Sequence, residues 1–109
     1  MRLVISTSKI DDAAFLAKKL IEEHLAACVN VVPGIKSFYI WDDKLEEESE
    51  ALLLIKTTAA HVEQLTARLR ELHPYEVPEI ISIEIAKGEG NPDYLNWVKE
   101  QVVPHRRAH

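Results

Sequence analysis

A single cysteine, Cys28, stands in the whole sequence. One thiol excludes an internal disulfide framework, agrees with a reducing compartment, and leaves no CxxC pair to hold a metal between two thiolates. Positive charge is scarce as well. Thirteen Lys and Arg face 18 Asp and Glu, for a formal net charge of -5, so nucleic acid and anionic membranes are poor partners for the surface as a whole. No apolar run approaches the ~20 residues of a membrane helix, and Met1-Arg2-Leu3-Val4-Ile5 opens like a strand rather than a signal peptide. A cytoplasmic protein without a membrane partner is expected. There is no Ser-His-Asp signature and no HExxH, and Lys87-Gly88-Glu89-Gly90-Asn91 lacks the P-loop pattern. The aromatic-rich strand motif that reads RNA is missing too. No catalytic residue is assigned, and the chain is expected to bind rather than catalyse.

What is present is the material of one small domain. With 109 residues, 47% of them hydrophobic, the chain supports one core, expected over residues 1–104 and followed by a flexible polar tail, 105–109. Leu3-Val4-Ile5 predicts a first strand. Ser8, three residues before Asp11, forms a weak capping-box pattern, and Ala13, Leu16, Ala17, Leu20 and Ile21 recur at helical spacing, which predicts a helix from about Asp11 to His24. Strand character runs from Ala27 to Trp41, with a bulge or bend expected at Pro33-Gly34, and again from Lys44 to Lys56. Thr58 offers an N-cap to a second helix whose face is Val62, Leu65, Leu69 and Leu72 and which ends at His73-Pro74. Ile81, Ile83 and Ile85 give the last strand one strongly apolar face, and Asn91-Pro92 caps a short third helix with a seam of Leu95, Val98 and Val102. The order is β-α-β-β-α-β plus a C-terminal helix. That is the α+β, ferredoxin-like plan, an antiparallel sheet carrying two helices on one face.

The two central strands are unusually long. About thirteen residues per arm at roughly 3.3 Å each make a ribbon on the order of 40 Å, joined by a tight turn at Asp42-Asp43. Such a ribbon overhangs a domain of this size unless Pro33-Gly34 folds it back across its own sheet. An overhanging ribbon carrying Phe38, Tyr39, Ile40, Trp41 and Leu45 needs another subunit to cover it. Six of the nine residues from Asp42 to Glu50 are acidic, as in a solvated hairpin tip that discourages edge pairing.

Candidate chemistry concentrates in His73-Pro74-Tyr75-Glu76-Val77-Pro78-Glu79. Two prolines stiffen a loop that carries an imidazole, a phenol and carboxylates, a rigid platform for binding. The competing reading of His73 is a cap on the second helix's last carbonyls. Cys28, among small apolar residues, reads as a buried and inert thiol. His105 and His109 in the tail could capture copper or nickel adventitiously.

The stretches LAACVNVVPGIKSFYIWDDKLEEESEALLLIKT and HPYEVPEIISIEIAKGEGNPDYLNWV resemble the CutA family of divalent-cation tolerance proteins over nearly the whole chain. The resemblance implies a tight homotrimer in which the long hairpins form inter-subunit sheets. It also implies a PII-like architecture with small-molecule clefts between subunits, and weak binding of Cu(2+) or another divalent cation without an organic cofactor. The metal candidate it carries over is His73. Where some relatives place a cysteine at the end of the first strand and a second histidine before HPY, this chain has Ser6 and Leu72. Trp41, Lys56, Tyr75 and Glu79 are the candidates to line a cleft, and Lys56, whose ammonium needs water or an anion at the end of an apolar strand, points to a small anionic ligand.

Overall fold

The computed structural model describes residues 1–102, so the expected tail at 105–109, with His105 and His109, lies outside the described residues. Four strands and three helices follow in the expected order: β1 (Arg2–Ser8), α1 (Ile10–Glu22), β2 (Cys28–Trp41), β3 (Lys44–Thr57), α2 (Val62–Leu72), β4 (Ile80–Glu84) and α3 (Pro92–Gln101), with a short 3-10 turn, Ala59–His61, ahead of α2. The strands form one sheet in the order β2-β3-β1-β4, every neighbouring pair antiparallel. This is the ferredoxin-like plan with a long β2-β3 hairpin and an added C-terminal helix.

Strand alternation divides the sheet into two unlike faces. Val4, Ser6 and Ser8 of β1 and Ala51, Leu53, Ile55 and Thr57 of β3 are buried under α1 and α2, where they meet Leu16, Leu20, Leu65 and Leu69. The other face lies away from α1 and α2; α3 meets it at one end, where Tyr94 lies against Cys28. Register places Leu3, Ile5 and Thr7 opposite Lys56, Leu54 and Leu52, and puts Ile83 and Ile81 beside Leu3 and Ile5. The apolar face predicted for the last strand therefore points away from this core: Ile81 is 52% and Ile83 47% exposed. Cys28 shares that open face and is half-buried, not enclosed as its small apolar neighbours imply. Residue type predicts burial, but on this edge strand the absence of a covering layer decides it.

Helix ends differ from expectation in their chemistry. Ser8 closes β1 and donates its hydroxyl to the Lys9 carbonyl at 2.9 Å, so α1 starts from Lys9 without a side-chain cap. Its C-terminus is firmer. His24 takes a left-handed conformation (φ 58), its N–H donates to the Ile21 carbonyl, and Leu25 N–H donates to the Leu20 carbonyl, the paired bonds of a Schellman stop with histidine where glycine is usual. Thr58 caps no backbone N–H; its hydroxyl meets His61 Nδ1 at 2.7 Å. Asn91 does cap α3, its side-chain oxygen accepting from Asp93 N–H at 3.0 Å with Pro92 at the first helical position.

The ribbon is straight enough to overhang. β1 pairs with Ala51–Thr57 of β3, which leaves residues 44–50 bonded to β2 alone. The bulge falls between Val32 and Ile35, at Pro33-Gly34, and does not return the ribbon to its sheet. The longest molecular dimension is 45 Å and the radius of gyration 14.8 Å, above the ~13 Å of a compact chain this size. Among the described residues, no helix is long and apolar enough to cross a membrane.

Candidate functional site

The overhang has two chemically distinct sides. Cross-strand register pairs Ser37 with Glu48, Tyr39 with Glu46 and Ile35 with Glu50 on one side, with Trp41 at the tip; Phe38, Ile40 and Leu45 occupy the other. The acidic-aromatic side faces the loop between α2 and β4. Together they enclose a cleft of about 730 Å³, framed by Tyr39, Trp41 and the carboxylates of Glu46, Glu48 and Glu50 on the ribbon and by Tyr75 and Glu79 on the loop. Three of the four expected cleft residues, Trp41, Tyr75 and Glu79, are thus brought together.

Lys56 is not among them. It lies on the open sheet face, where its ammonium donates to the Asn30 side-chain oxygen and approaches Cys28 Sγ at 4.0 Å. The partner that a half-buried ammonium requires is therefore a neutral amide from the adjacent strand.

His73 forms the base of the loop. It is 6% exposed, because α2 ends with the ring turned inward and Pro74 prevents another helical turn. Nε2 meets the Thr7 carbonyl at 2.8 Å, and Nδ1 accepts the Tyr75 N–H at 3.2 Å. A carbonyl can only accept, so the proton is on Nε2 and both ring nitrogens are engaged. His73 does cap the end of α2, but through its backbone N–H, which donates to the Leu69 carbonyl at 2.9 Å; the imidazole ties the loop to the end of β1. Among the described residues, no group of three or more His, Cys, Asp or Glu is placed to hold a metal ion. Ser6 is fully buried and its hydroxyl lacks a hydrogen-bond partner, while Leu72 packs against the core.

One tyrosine bridges ribbon and loop, and a second ties the two strands of the ribbon together. Tyr75, stacked at a tilt on His73 with 4.7 Å between ring centroids, donates its hydroxyl to Glu50 at 2.5 Å. Burial and this carboxylate push its phenol well above the usual range. Tyr39 donates to Glu48 at 2.8 Å, and that hydrogen bond raises its phenol to about 12. Glu50 is the residue that sequence reasoning missed. The acidic run reads as a solvated tip, yet Glu50 is 5% exposed. The signal was available in the period of two, which sets Glu46, Glu48 and Glu50 on the same side as Tyr39 and Trp41.

The model of the family described as "CutA1 divalent ion tolerance protein" matches residues 1–101. The chain is 47% identical over 98 residues to the divalent-cation tolerance protein CutA of Thermus thermophilus, covering 90% of this chain and 93% of that one. It is 53% identical over 89 residues to the CutA homolog of Xenopus laevis, covering 82% of this chain and 57% of that protein. Among solved structures, the Thermus thermophilus protein superposes with a TM-score of 0.87 at 45% identity, covering 94% of this chain and all of that one. The PII-like protein CutA from Nostoc sp. PCC 7120 gives 0.89 at 33% identity, covering 94% and 98%.

Proposed function

The chain belongs to the CutA1 divalent ion tolerance protein family, and on that premise we propose that it serves divalent-cation tolerance in the cytoplasm as a homotrimer that binds the cation weakly and catalyses nothing. The observation that carries the assembly is the open apolar face. Leu3, Ile5, Leu52 and Leu54 lie there half-buried beside the exposed Ile81 and Ile83, and the overhang adds Phe38 at 63%, Ile40 at 64% and Leu45 at 73% exposure. A contiguous apolar surface of this kind marks an interface, and a ribbon reaching past its own core supplies the arm with which one subunit covers the next.

Copper(II) is the first cation to test, because imidazole suits it and the His73 imidazole packs against Tyr75 of the cleft wall. Its Nδ1 lone pair is already taken by the Tyr75 N–H, so ligation exchanges a hydrogen bond for a metal bond and oxygen atoms of the loop must complete the set. Weak uptake follows. Titration of copper(II) into a variant with His105 and His109 replaced by Ala, read by native mass spectrometry, should give a trimer with about one copper per subunit, lost on adding His73→Ala. Undiminished uptake after His73→Ala would refute the assignment. The alternative of an anionic ligand gains no support from the cleft, where among the described residues carboxylates outnumber the one cation, Lys9, and Lys56 lies outside it.

A further inference from the structure

The ribbon loses support at one level of the sheet. β1 pairs with β3 only as far as Ser8 opposite Ala51, so from Glu50 outward β3 has β2 as its single neighbour. At the same level β2 carries its bulge: the register breaks between Val32 and Ile35, and Ile35 is the residue that pairs with Glu50. Pro33 has no N–H to give to the ladder, and Gly34, at φ 84, would leave even an added Cβ with nothing within 4 Å. Both strands are therefore weakened where Glu50 stands. A two-stranded ribbon beyond such a point twists and swings unless something outside the ladder holds it.

Tyr75 holds it there. Its hydroxyl donates to Glu50, which is 5% exposed, so water competes little for the bond. Tyr75 is itself fixed from below. Pro74 restricts the backbone before it, its N–H donates to His73 Nδ1, its ring lies on the His73 ring, and His73 Nε2 donates to the Thr7 carbonyl. Thr7 pairs with Leu52, two residues from Glu50. The contacts thus close a triangle across β1, β3 and the loop, and a closed triangle resists bending where a single ladder does not. The other side-chain bonds of the overhang, Tyr39 to Glu48 and Lys36 to Glu47, join its two strands to each other. Among the described residues, Tyr75 to Glu50 is the side-chain hydrogen bond that joins the overhang to the rest of the domain.

We infer that Tyr75 and Glu50 form a strut that fixes the direction in which the β2-β3 ribbon leaves the sheet, and so presents the arm to a second copy in one orientation. Association loses less freedom when a segment is already held in its bound direction. That consequence for assembly rests on the homotrimer proposed above; the direction of the ribbon within one subunit does not.

Spin labels at Lys44→Cys, beside the tip of the ribbon, and at Glu63→Cys, on the exposed surface of α2, report that direction as a distance in full-length protein with Cys28 replaced by Ser. Labelled chains are assembled with a large excess of unlabelled ones, so that pairs within one subunit dominate. The parent should give one narrow distance distribution. Tyr75→Phe, which keeps the ring on His73 and removes only the hydroxyl, should broaden it, and light scattering should show the assembly dissociating at about tenfold higher protein concentration. Glu50→Gln, which keeps a neutral acceptor, should do both to a smaller extent. Tyr39→Phe, which removes a bond inside the ribbon, should do neither. An equally narrow distribution in Tyr75→Phe would overturn the strut, and so would equal broadening by Tyr39→Phe. A broadened distribution with an unchanged dissociation point would overturn its part in assembly. A parent that scatters as a single subunit would refute the homotrimer instead, and the distance comparison would still decide the strut.

Discussion

At the residue scale, the interactions that matter join segments far apart in sequence. Tyr75 reaches Glu50, His73 reaches Thr7, and Arg68 grips Glu23 with two bonds of 2.8 Å, tying α2 to α1. The Arg68 hydrogen bonds hold the Glu23 carboxyl below its usual 4.5. A depressed carboxylate pKa contributes stability above the unfolded value and loses it as pH falls through the folded one. Because both side chains are about one-third exposed (34% and 32%), solvent screening limits the effect, and Arg68→Ala should cost about 1 kcal/mol or less at pH 7. The gap between variant and parent should close below pH 4.5. Urea midpoints at pH 7 and pH 3 measure it, and a gap that persists in acid would mean Arg68 acts by packing alone.

At the scale of the elements, the β2-β3 hairpin is governed by its turn. Asp42 and Asp43 both have positive φ, 51 and 64, the conformation of a type I′ turn whose twist matches the strands it joins. Most residues adopt it at a cost, and glycine in the second position is preferred. Asp43→Gly should therefore raise stability by about 0.5–1 kcal/mol after the added freedom of the unfolded chain is counted. A higher melting temperature with unchanged subunit number would bear this out; a lower one would show that the Asp43 carboxylate does something in the turn beyond tolerating it. The elements themselves were legible in the sequence, because helix and strand periods, the proline-glycine bulge and the Asn91-Pro92 cap are local signals. Ser8 and Thr58 were not, since a hydroxyl near a helix start has several partners within reach and only the path of the backbone selects one.

At the scale of the whole molecule, the sheet has more apolar surface than its helices cover. Full burial of a large aliphatic side chain contributes about 1.5–3 kcal/mol, and Ile81 and Ile83, about half exposed, gain only part of that within one subunit. Ile83→Glu places a carboxylate in the middle of the uncovered face and should convert the proposed trimer to monomer in light scattering at micromolar concentration. An unchanged mass would exclude this face from the interface and leave the ribbon as its sole contributor.

The sequence by itself determined the α+β order, the long hairpin with its bulge, and the family, because each of these is written in local periodicity, residue type or motif. Only the tertiary structure decided which apolar face is left open, that Glu50 is enclosed and bonded to Tyr75, that Lys56 turns to Asn30 away from the cleft, and that both nitrogens of His73 are engaged. Alternation along a strand states that two faces differ; it does not state which one the helices will cover, and a hydrogen bond between residues 25 or 66 positions apart exists only once the chain has closed on itself.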